Sequence, residues 1–338
     1  MQYPKVSVIT VNYNGVEYLR KCFYSIAGQG YPKGRLQIIV VDNASKDGSA
    51  DYIKKAYPDI EVVQSGYNAG YSGGANIGYK HANGKYVALM ANDMVFPKSW
   101  IKSMVDSLEK NSDAAAVTAT MVNVGEERVD GELLNATPIL VGRGDTAGTG
   151  YTVLPWGGAC MFRKNLFKLP FDSEYFIYGE DMYLGLMSWL RGYTLIENKI
   201  KVTHYGSITV GFFSKMQVHY NERNRLMNIL SFFKLKTVLL LSPLIITDLL
   251  IKLVYFLKIR RPDLVHAEIK AVWWNIRNLK KVFGKRCNVQ KQRKVGDLTI
   301  LDILCENVYG GGKLKGLLNM VSIGYFRFVK RLWKFFGV

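Results

Sequence analysis

Three places in the chain offer carboxylates where chemistry could be done. Ile38-Ile-Val-Val-Asp42 and Tyr86-Val-Ala-Leu-Met-Ala-Asn-Asp93 are apolar runs that each deliver an acid at their end, and Gly179-Glu180-Asp181 supplies a third acidic site. Short apolar runs bounded by turn residues read as buried strands, and in an open parallel sheet ligands bind at the carboxyl ends of the strands. An acid placed there can hold a divalent cation or accept hydrogen bonds from a ribose. Asp-Asn-Ala-Ser at 42–45 is also good turn chemistry, and Glu180-Asp181 would also serve as a simple helix cap.

The elements that must position these acids follow from periodicity. Val6–Val11, Gln37–Asp42, Ile60–Gln64 and Lys85–Met90 read as strands. Helical spacing covers Glu17–Ala27, Ser49–Tyr57, Ser72–Ala82 and Ser99–Lys110. This βαβα order implies a Rossmann-like α/β fold, a mainly parallel sheet flanked by helices. Ala114–Thr120 adds another strand, pattern returns over Val153–Arg163, a helix is expected from Glu180 to Arg191, and Ile200–His204 closes the series. Between residues 122 and 152 glycines are frequent, and Gly142–Gly150 reads as a mobile loop of the kind that is more often functional than idle.

At 338 residues and 49% hydrophobic composition, the chain can bury a full core and is not disordered. Cys22, Cys160, Cys287 and Cys305 stand singly, with no pair at metal-ligand spacing, which fits buried or neutral thiols in a reducing compartment. The first apolar stretch, Val6–Val11, is too short for a signal peptide.

The net charge of +18 is unevenly spread. Residues 1–215 carry 22 Lys+Arg against 20 Asp+Glu, whereas 216–338 carry 23 against 7. A tail this basic seeks a polyanion, either nucleic acid or an anionic membrane surface. Thr237–Leu257 is almost continuously apolar, but Pro243, Asp248 and Lys252 interrupt it, so a hairpin or surface-lying segment is expected in preference to a clean span. Val265, Ile269, Val272, Ile276 and Leu279 recur at helical spacing beside Trp273, Trp274, Lys270 and Arg277, and Val321, Tyr325, Phe328, Leu332 and Phe336 do so among basic residues. Basic amphipathic helices with tryptophans suit a membrane surface; the plainer reading of both stripes is a core face. The basic residues alternate with aliphatic runs and no nucleic-acid motif is present, so nucleic acid is not the expected partner.

Seven segments in order then carry a resemblance. They are Val6-Ser-Val-Ile-Thr-Val-Asn-Tyr-Asn14, Val40-Val-Asp-Asn-Ala-Ser-Lys-Asp-Gly48, Asn68-Ala-Gly-Tyr-Ser-Gly-Gly-Ala-Asn-Ile-Gly78, Leu89-Met-Ala-Asn-Asp93, Trp156-Gly-Gly-Ala-Cys-Met161, Phe176-Ile-Tyr-Gly-Glu-Asp181 and His204-Tyr-Gly-Ser207. Over residues 5–230 the chain resembles family 2 nucleotide-sugar glycosyltransferases with the GT-A fold, and most of all their rhamnosyltransferase-like branch. The glycine cluster alone would also suit a dinucleotide fingerprint, but no G-x-G-x-x-G follows the first strand.

The resemblance implies a role for each matched position. Asp42 falls on the nucleobase–ribose side, with Thr10 and Asn12 lining the same pocket. Asn68, Gly70 and Asn76 would bring backbone close to the donor, Asn92 precedes the metal acid, and Trp156, Gly157 and Gly158 would wall donor from acceptor. Asp93 matches the last acid of the metal motif, which binds Mg²⁺ or Mn²⁺, and His204 matches a histidine that can complete that site. The first position of the motif, often acidic or Asn, is Ala91, which thins the site. Asp181 matches the general base, with Glu180 orienting. The implied protein is an inverting, metal-assisted transferase moving a sugar from a UDP- or dTDP-type donor to a saccharide acceptor, lipid-linked given the tail, in surface-glycan or protein-glycan assembly. Its GT-A domain would cover residues 1–230 and a membrane-associating helical region 231–338, peripheral or monotopic at the cytoplasmic face of the cell membrane. The alternatives are a degenerate protein that binds nucleotide sugar without transfer and, less favoured, a nucleic-acid binder.

Overall fold

The N-terminal apolar run becomes a central strand because both its faces are covered. β1 (Val6–Asn12) and β4 (Tyr86–Met90) are buried almost throughout, as strands with helices on both faces must be. β1 pairs in parallel with β4 and with β2 (Leu36–Asp42), and β2 pairs in parallel with β3 (Glu61–Gln64). The crossovers are α1 (Val16–Ala27), α2 (Ser49–Ala56) and α3 (Gly70–His81). This half matches the alternation expected from the sequence.

Beyond β4 the chain leaves simple alternation. β5 (Met94–Val95) and α4 (Trp100–Lys110) lead to β6 (Ala114–Asn123). β7 (Ala159–Arg163) then inserts antiparallel between β4 and β6. After α5 (Glu180–Leu190), β8 (Thr194–His204) runs parallel to β6 and antiparallel to β5. The eight strands stand in the order β3-β2-β1-β4-β7-β6-β8-β5. Phe23, Tyr86, Trp100 and Met104 anchor the core on one side of this sheet.

The computed structural model describes residues 3–124, 150–205, 214–304 and 315–335; most of the expected loop Gly142–Gly150 lies outside them. Two units divide the chain, one from 1–125, 155–184 and 194–211, the other from 126–154, 185–193 and 212–338. The expected boundary at residue 230 therefore falls inside a helix, α6 (Lys215–Phe232), that belongs to the second unit.

The second unit is helical in its described part. α6 is followed by α7 (Leu235–Lys258), α8 (Pro262–Arg277), α9 (Leu279–Gln290), α10 (Asp297–Ile303) and α11 (Lys315–Phe335). α7 is one continuous helix through Pro243, so the hairpin is not formed; by length and composition alone it could cross a membrane. Asp297 closes its first turn, accepting from Lys234 N at 2.7 Å and Thr237 Oγ1 at 2.5 Å, which satisfies donors that a helix start leaves open. Arg286 and Gln290 of α9 donate to the carbonyls of Leu230, Ser231, Phe232 and Phe233 at the end of α6, where cations suit the helix dipole.

A buried charge cluster joins α6, α7 and α8. Arg225 meets Glu222 at 2.6 Å and Asp248 at 3.1 Å, while Lys252 meets Glu222 at 2.8 Å, Asp248 at 2.9 Å and Glu268 at 3.8 Å. Asp248 and Lys252, which interrupt the apolar run in the sequence, thus lie on its inward face beside Leu241, Ile245 and Phe256.

Candidate active site

The carboxyl edge of β1, β2 and β4 gathers the polar residues expected from the sequence. Asp42 closes β2 and is almost fully buried. Its Oδ2 accepts from Ser45 N at 3.2 Å, and Asn12 Nδ2 reaches its Oδ1 at 3.5 Å. Asn92 Nδ2 in turn donates to Asn12 Oδ1 at 2.9 Å, so the ends of all three strands are joined by one amide chain. Asn12 holds Ser45 Oγ as well, at 3.2 Å. Asn14 and Ala44 adopt positive φ, at 50° and 62°, in the turns beside this network. Thr10 is fully buried one pleat below, its Oγ1 without a hydrogen-bond partner among the described residues.

The glycine-rich turn is built for contact with protein. Asn68 Oδ1 accepts from Gly70 N at 3.0 Å, and Gly70 O accepts from Asn43 Nδ2 at 2.9 Å. Gly70 has φ +70°, and a side chain there would run into the Phe176 carbonyl and ring. A Cβ on Gly74 would sit 2.6 Å from Val11, and one on Gly78 2.6 Å from Ile9, so these glycines let α3 lie close on the sheet. Asn76 does not extend toward the polar edge either: its amide clamps Phe171, donating to O at 2.7 Å and accepting from N at 3.2 Å.

A second group of acids assembles where β5 meets β8. The β5–β8 pairing sets Met94 opposite His204, and Tyr205 N donates to Asp93 O at 3.1 Å. His204 Nε2 consequently lies 3.4 Å from Asp93 Oδ2, with both side chains about one-sixth exposed (16% and 15%). Gly158 is held to Ala91 by a 2.9 Å backbone bond, and a Cβ on Gly158 would sit 2.7 Å from Met94. The adjacent Gly157 faces α5: its Cβ position lies 3.7 Å from Glu180 Oε1 and 3.8 Å from Asp181 Cβ. Trp156 is half-buried and hung by its N–H on Thr118 Oγ1 at 2.9 Å.

Glu180 and Asp181 open α5 after a strained approach. Phe176 and Tyr178 carry φ of 58° and 65°, and Gly179 has 75°; bulky residues in that region store strain of about 1–3 kcal/mol each and cluster at functional sites. Asp181 Oδ1 accepts from Met182 N at 2.7 Å at the positive end of the helix. Glu180 is buried with Oε2 unpartnered. Burial, and after it the Asp181 charge, pushes its carboxyl up to about 8. Burial thus favours the protonated form of Glu180, which can donate a hydrogen bond.

Two tyrosines line this group and carried no signal of function in the sequence. Tyr71 OH donates to Gly157 O, and its pKa stands well above the ordinary value through burial first, then Cys160 and the charges of Glu180, Asp181 and Asp93. Tyr178 is pushed up to about 12 by burial, then by Glu180 and Asp93. Both feel the charges of Asp93 and Glu180, and Tyr71 shares the surroundings of Gly157 with Glu180 and Asp181.

The donor set suits a shared metal. Among the described residues no group of three or more His, Cys, Asp or Glu could hold an ion. One carboxylate and one imidazole fit a cation that takes its remaining ligands from phosphate oxygens and water.

The family profile "Glycosyl transferase family 2" matches residues 7–169. Those residues are a family 2 glycosyltransferase domain. A Haemophilus influenzae relative described as an uncharacterized glycosyltransferase is 36% identical over 117 residues, which cover 34% of this chain and 36% of that one. The chain thus spans about a third of that relative's length, and 36% of the archaeal glycosyltransferase AglE of Haloferax volcanii. A longer match, 24% identical over 73% of this chain and 83% of the other, is to the Methanococcus voltae dolichyl N-acetyl-alpha-D-glucosaminyl phosphate 3-beta-D-2,3-diacetamido-2,3-dideoxy-beta-D-glucuronosyltransferase. The mannosyltransferase PcManGT of Pyrobaculum calidifontis, solved with GDP-Man and Mn²⁺, shares the fold at TM-score 0.54 and 14% identity, over 98% of this chain and 87% of that one. The fold is therefore GT-A-like, and in the family 2 domain and the strands that follow it the two polar groups occupy one unit of the chain.

Proposed function

We propose that the protein transfers a sugar from a nucleoside-diphosphate donor, of UDP or dTDP type, to a saccharide acceptor with inversion at the anomeric carbon. The observation that carries this reading is the convergence of Asp93, Glu180 and Asp181 about Tyr71 and Gly157, in the same unit as the Asp42–Asn12–Asn92 network. Asp42 and Asn12 receive the base and ribose, with Thr10 beneath them and Asn68 and Gly70 shaping the turn alongside. Asn76 acts by holding Phe171 in place. Asp93 and His204 hold Mg²⁺ or Mn²⁺, which when bound neutralises charge on the leaving diphosphate. Trp156, Gly157 and Gly158 form the wall beside the reacting sugar.

Asp181 accepts the proton of the acceptor hydroxyl. The freed oxygen attacks the anomeric carbon as the bond to the diphosphate breaks. Glu180, whose burial favours the protonated carboxyl, orients the site and limits negative charge beside the base.

The acceptor is lipid-linked, and the protein works at the cytoplasmic face of a membrane, as the basic 216–338 region and the dolichyl acceptor in the archaeal relative's name both support. The product belongs to surface-glycan or protein-glycan assembly, and the rhamnosyltransferase-like branch stays part of the proposal. Equilibrium binding of nucleoside diphosphates, with Mg²⁺, Mn²⁺ or chelator, tests the pocket. Binding of a uridine or thymidine diphosphate that weakens in Asp42→Ala, and in Asp93→Ala only when metal is supplied, is expected. No binding to any nucleoside diphosphate would refute the reading.

A further inference from the structure

We infer that α7 is a membrane-docking helix, which inserts its outward apolar stripe into an anionic bilayer surface while its charges stay clasped inside the protein. This rests on the membrane reading above and names the surface that carries it. Leu235, Leu239, Ile246, Leu250, Val254 and Leu257 are each between 52% and 71% exposed. With exposed Pro243 they recur every three or four residues, so they form a single stripe. Over the 22 steps from Leu235 to Leu257 that stripe runs roughly 33 Å at 1.5 Å per residue. A surface helix of an ordinary soluble domain keeps its outward face polar.

The inward face explains why the stripe cannot turn away. Thr237, Asp248 and Lys252 are buried there beside Leu241, Ile245 and Phe256. Lys252 and Asp248 are ion-paired to Glu222 and Arg225 of α6, and Lys252 also faces Glu268 of α8. Rotating α7 to hide its leucines would break these pairs and leave charges uncompensated. The same clasp covers one side of the helix with protein, which suits a helix lying in the interface plane with one free face.

Charge decides the occupant. Lys236 and Lys258 bracket the stripe, and between them no charged residue of α7 is exposed. Residues 216–338 carry 23 Lys+Arg against 7 Asp+Glu. A second copy of this face would bring like charge onto like charge, whereas anionic headgroups attract the flanking lysines as the stripe enters the acyl boundary. On α8 the exposed Ile269, Trp273 and Ile276 add apolar surface of the kind found at such interfaces.

Flotation of the full chain with vesicles tests this. The vesicles are phosphatidylglycerol–phosphatidylethanolamine or neutral phosphatidylcholine, at low salt and at about 0.5 M salt, where surface charge is screened. The variant is Leu239→Ser/Ile246→Ser/Leu250→Ser/Val254→Ser, all at exposed positions, with its fold checked by helical circular dichroism and nucleoside-diphosphate binding. The native chain should float with the anionic vesicles and keep a bound fraction at high salt. The variant should partition at least about tenfold less, lose its residual binding to salt, and bind nucleotide unchanged. Equal flotation of the two chains would overturn the inference. So would a native chain that never floats, or a dimer that the variant dissociates with vesicle binding intact. Absence of nucleotide binding in both chains would sink the transferase reading and leave the docking result standing.

Discussion

At the scale of the residue, Glu180 and Asp181 are neighbours in sequence with different surroundings. Asp181 has a backbone N–H to accept from, while Glu180 Oε2 is buried without a partner. Environments that split adjacent acids in this way assign acid–base roles. Asp181→Asn should lower turnover roughly 10²–10⁴-fold, the usual contribution of a positioned base, with nucleotide affinity almost unchanged; equal loss of both would count against a base. Glu180 also makes a pH prediction. Its folded value of about 8 lies above the ordinary 4.5, so the stability associated with its proton is complete below pH 4.5 and declines as pH rises toward 8. Glu180→Gln removes that decline. The melting temperature of the variant relative to the native protein should therefore rise between pH 5 and pH 8, and a constant difference would contradict the assignment. Glu268, also pushed up to about 8 by burial and then by Glu222, is present in both proteins and cancels. Neither burial nor an unpartnered oxygen is visible in the string Gly-Glu-Asp, which is why the sequence could name this pair and not divide its labour.

At the scale of the element, legibility followed the range of the contacts. β1, β2, β4 and the helices between them are local patterns, and their positions could be read to within a residue or two. β5 is two residues long and carries no period, yet its pairing with β8 is what sets Asp93 against His204. β7 enters the sheet antiparallel from far along the chain, which no local pattern encodes. The glycines of α3 were legible as close approaches, and in the fold Phe176, Val11 and Ile9 are what they approach. Gly70→Ala should accordingly cost more than Gly48→Ala. Both have positive φ, worth about 1–2 kcal/mol for a side chain, but only at Gly70 does the new Cβ strike protein. Urea unfolding of the two variants compares them directly, and equal losses would argue against the tight turn.

In the second unit the same lesson applies to charge. Asp248 and Lys252 look like interruptions of an apolar run, whereas in the fold they are the face that packs. Burial pushes Glu222 up, but Arg225 and Lys252 together outweigh it and hold the carboxyl at about 2. Lys252→Ala leaves two buried carboxylates to Arg225 alone and should destabilise by about 3–5 kcal/mol. Lys236→Ala, on an exposed residue, should stay within about 0.5 kcal/mol. Chemical denaturation measures both, and a neutral Lys252→Ala would mean that the cluster does not hold α6, α7 and α8 together.

At the scale of the whole molecule, the chain separates two tasks. A near-neutral α/β unit gathers the acids and amides, and a basic helical unit turns its apolar side chains outward on α7. The unevenness of charge along the sequence was the legible sign of that division. The charge break at 215/216 lies near the start of α6, and α6, which holds residue 230, supplies Glu222 and Arg225 to the charge cluster of the second unit. The stripe read from Val265 to Leu279 is not the buried face of α8: Ile269, Ile276 and Leu279 are exposed and Val265 and Val272 half-buried, while Leu264, Ala267 and Ala271 are the buried positions.

The central claim is sugar transfer by the acids gathered around Tyr71, and turnover of a donor panel tests it most directly. The full chain is incubated with UDP-, dTDP- and GDP-sugars in Mg²⁺, Mn²⁺ or chelator, with a lipid-linked saccharide pool as acceptor, and released nucleoside diphosphate is measured. Release from a uridine or thymidine donor is expected, dependent on acceptor and metal and collapsing in Asp181→Asn and Asp93→Ala. Release that survives both substitutions, or none from any donor by a chain that binds the nucleotide, would contradict it.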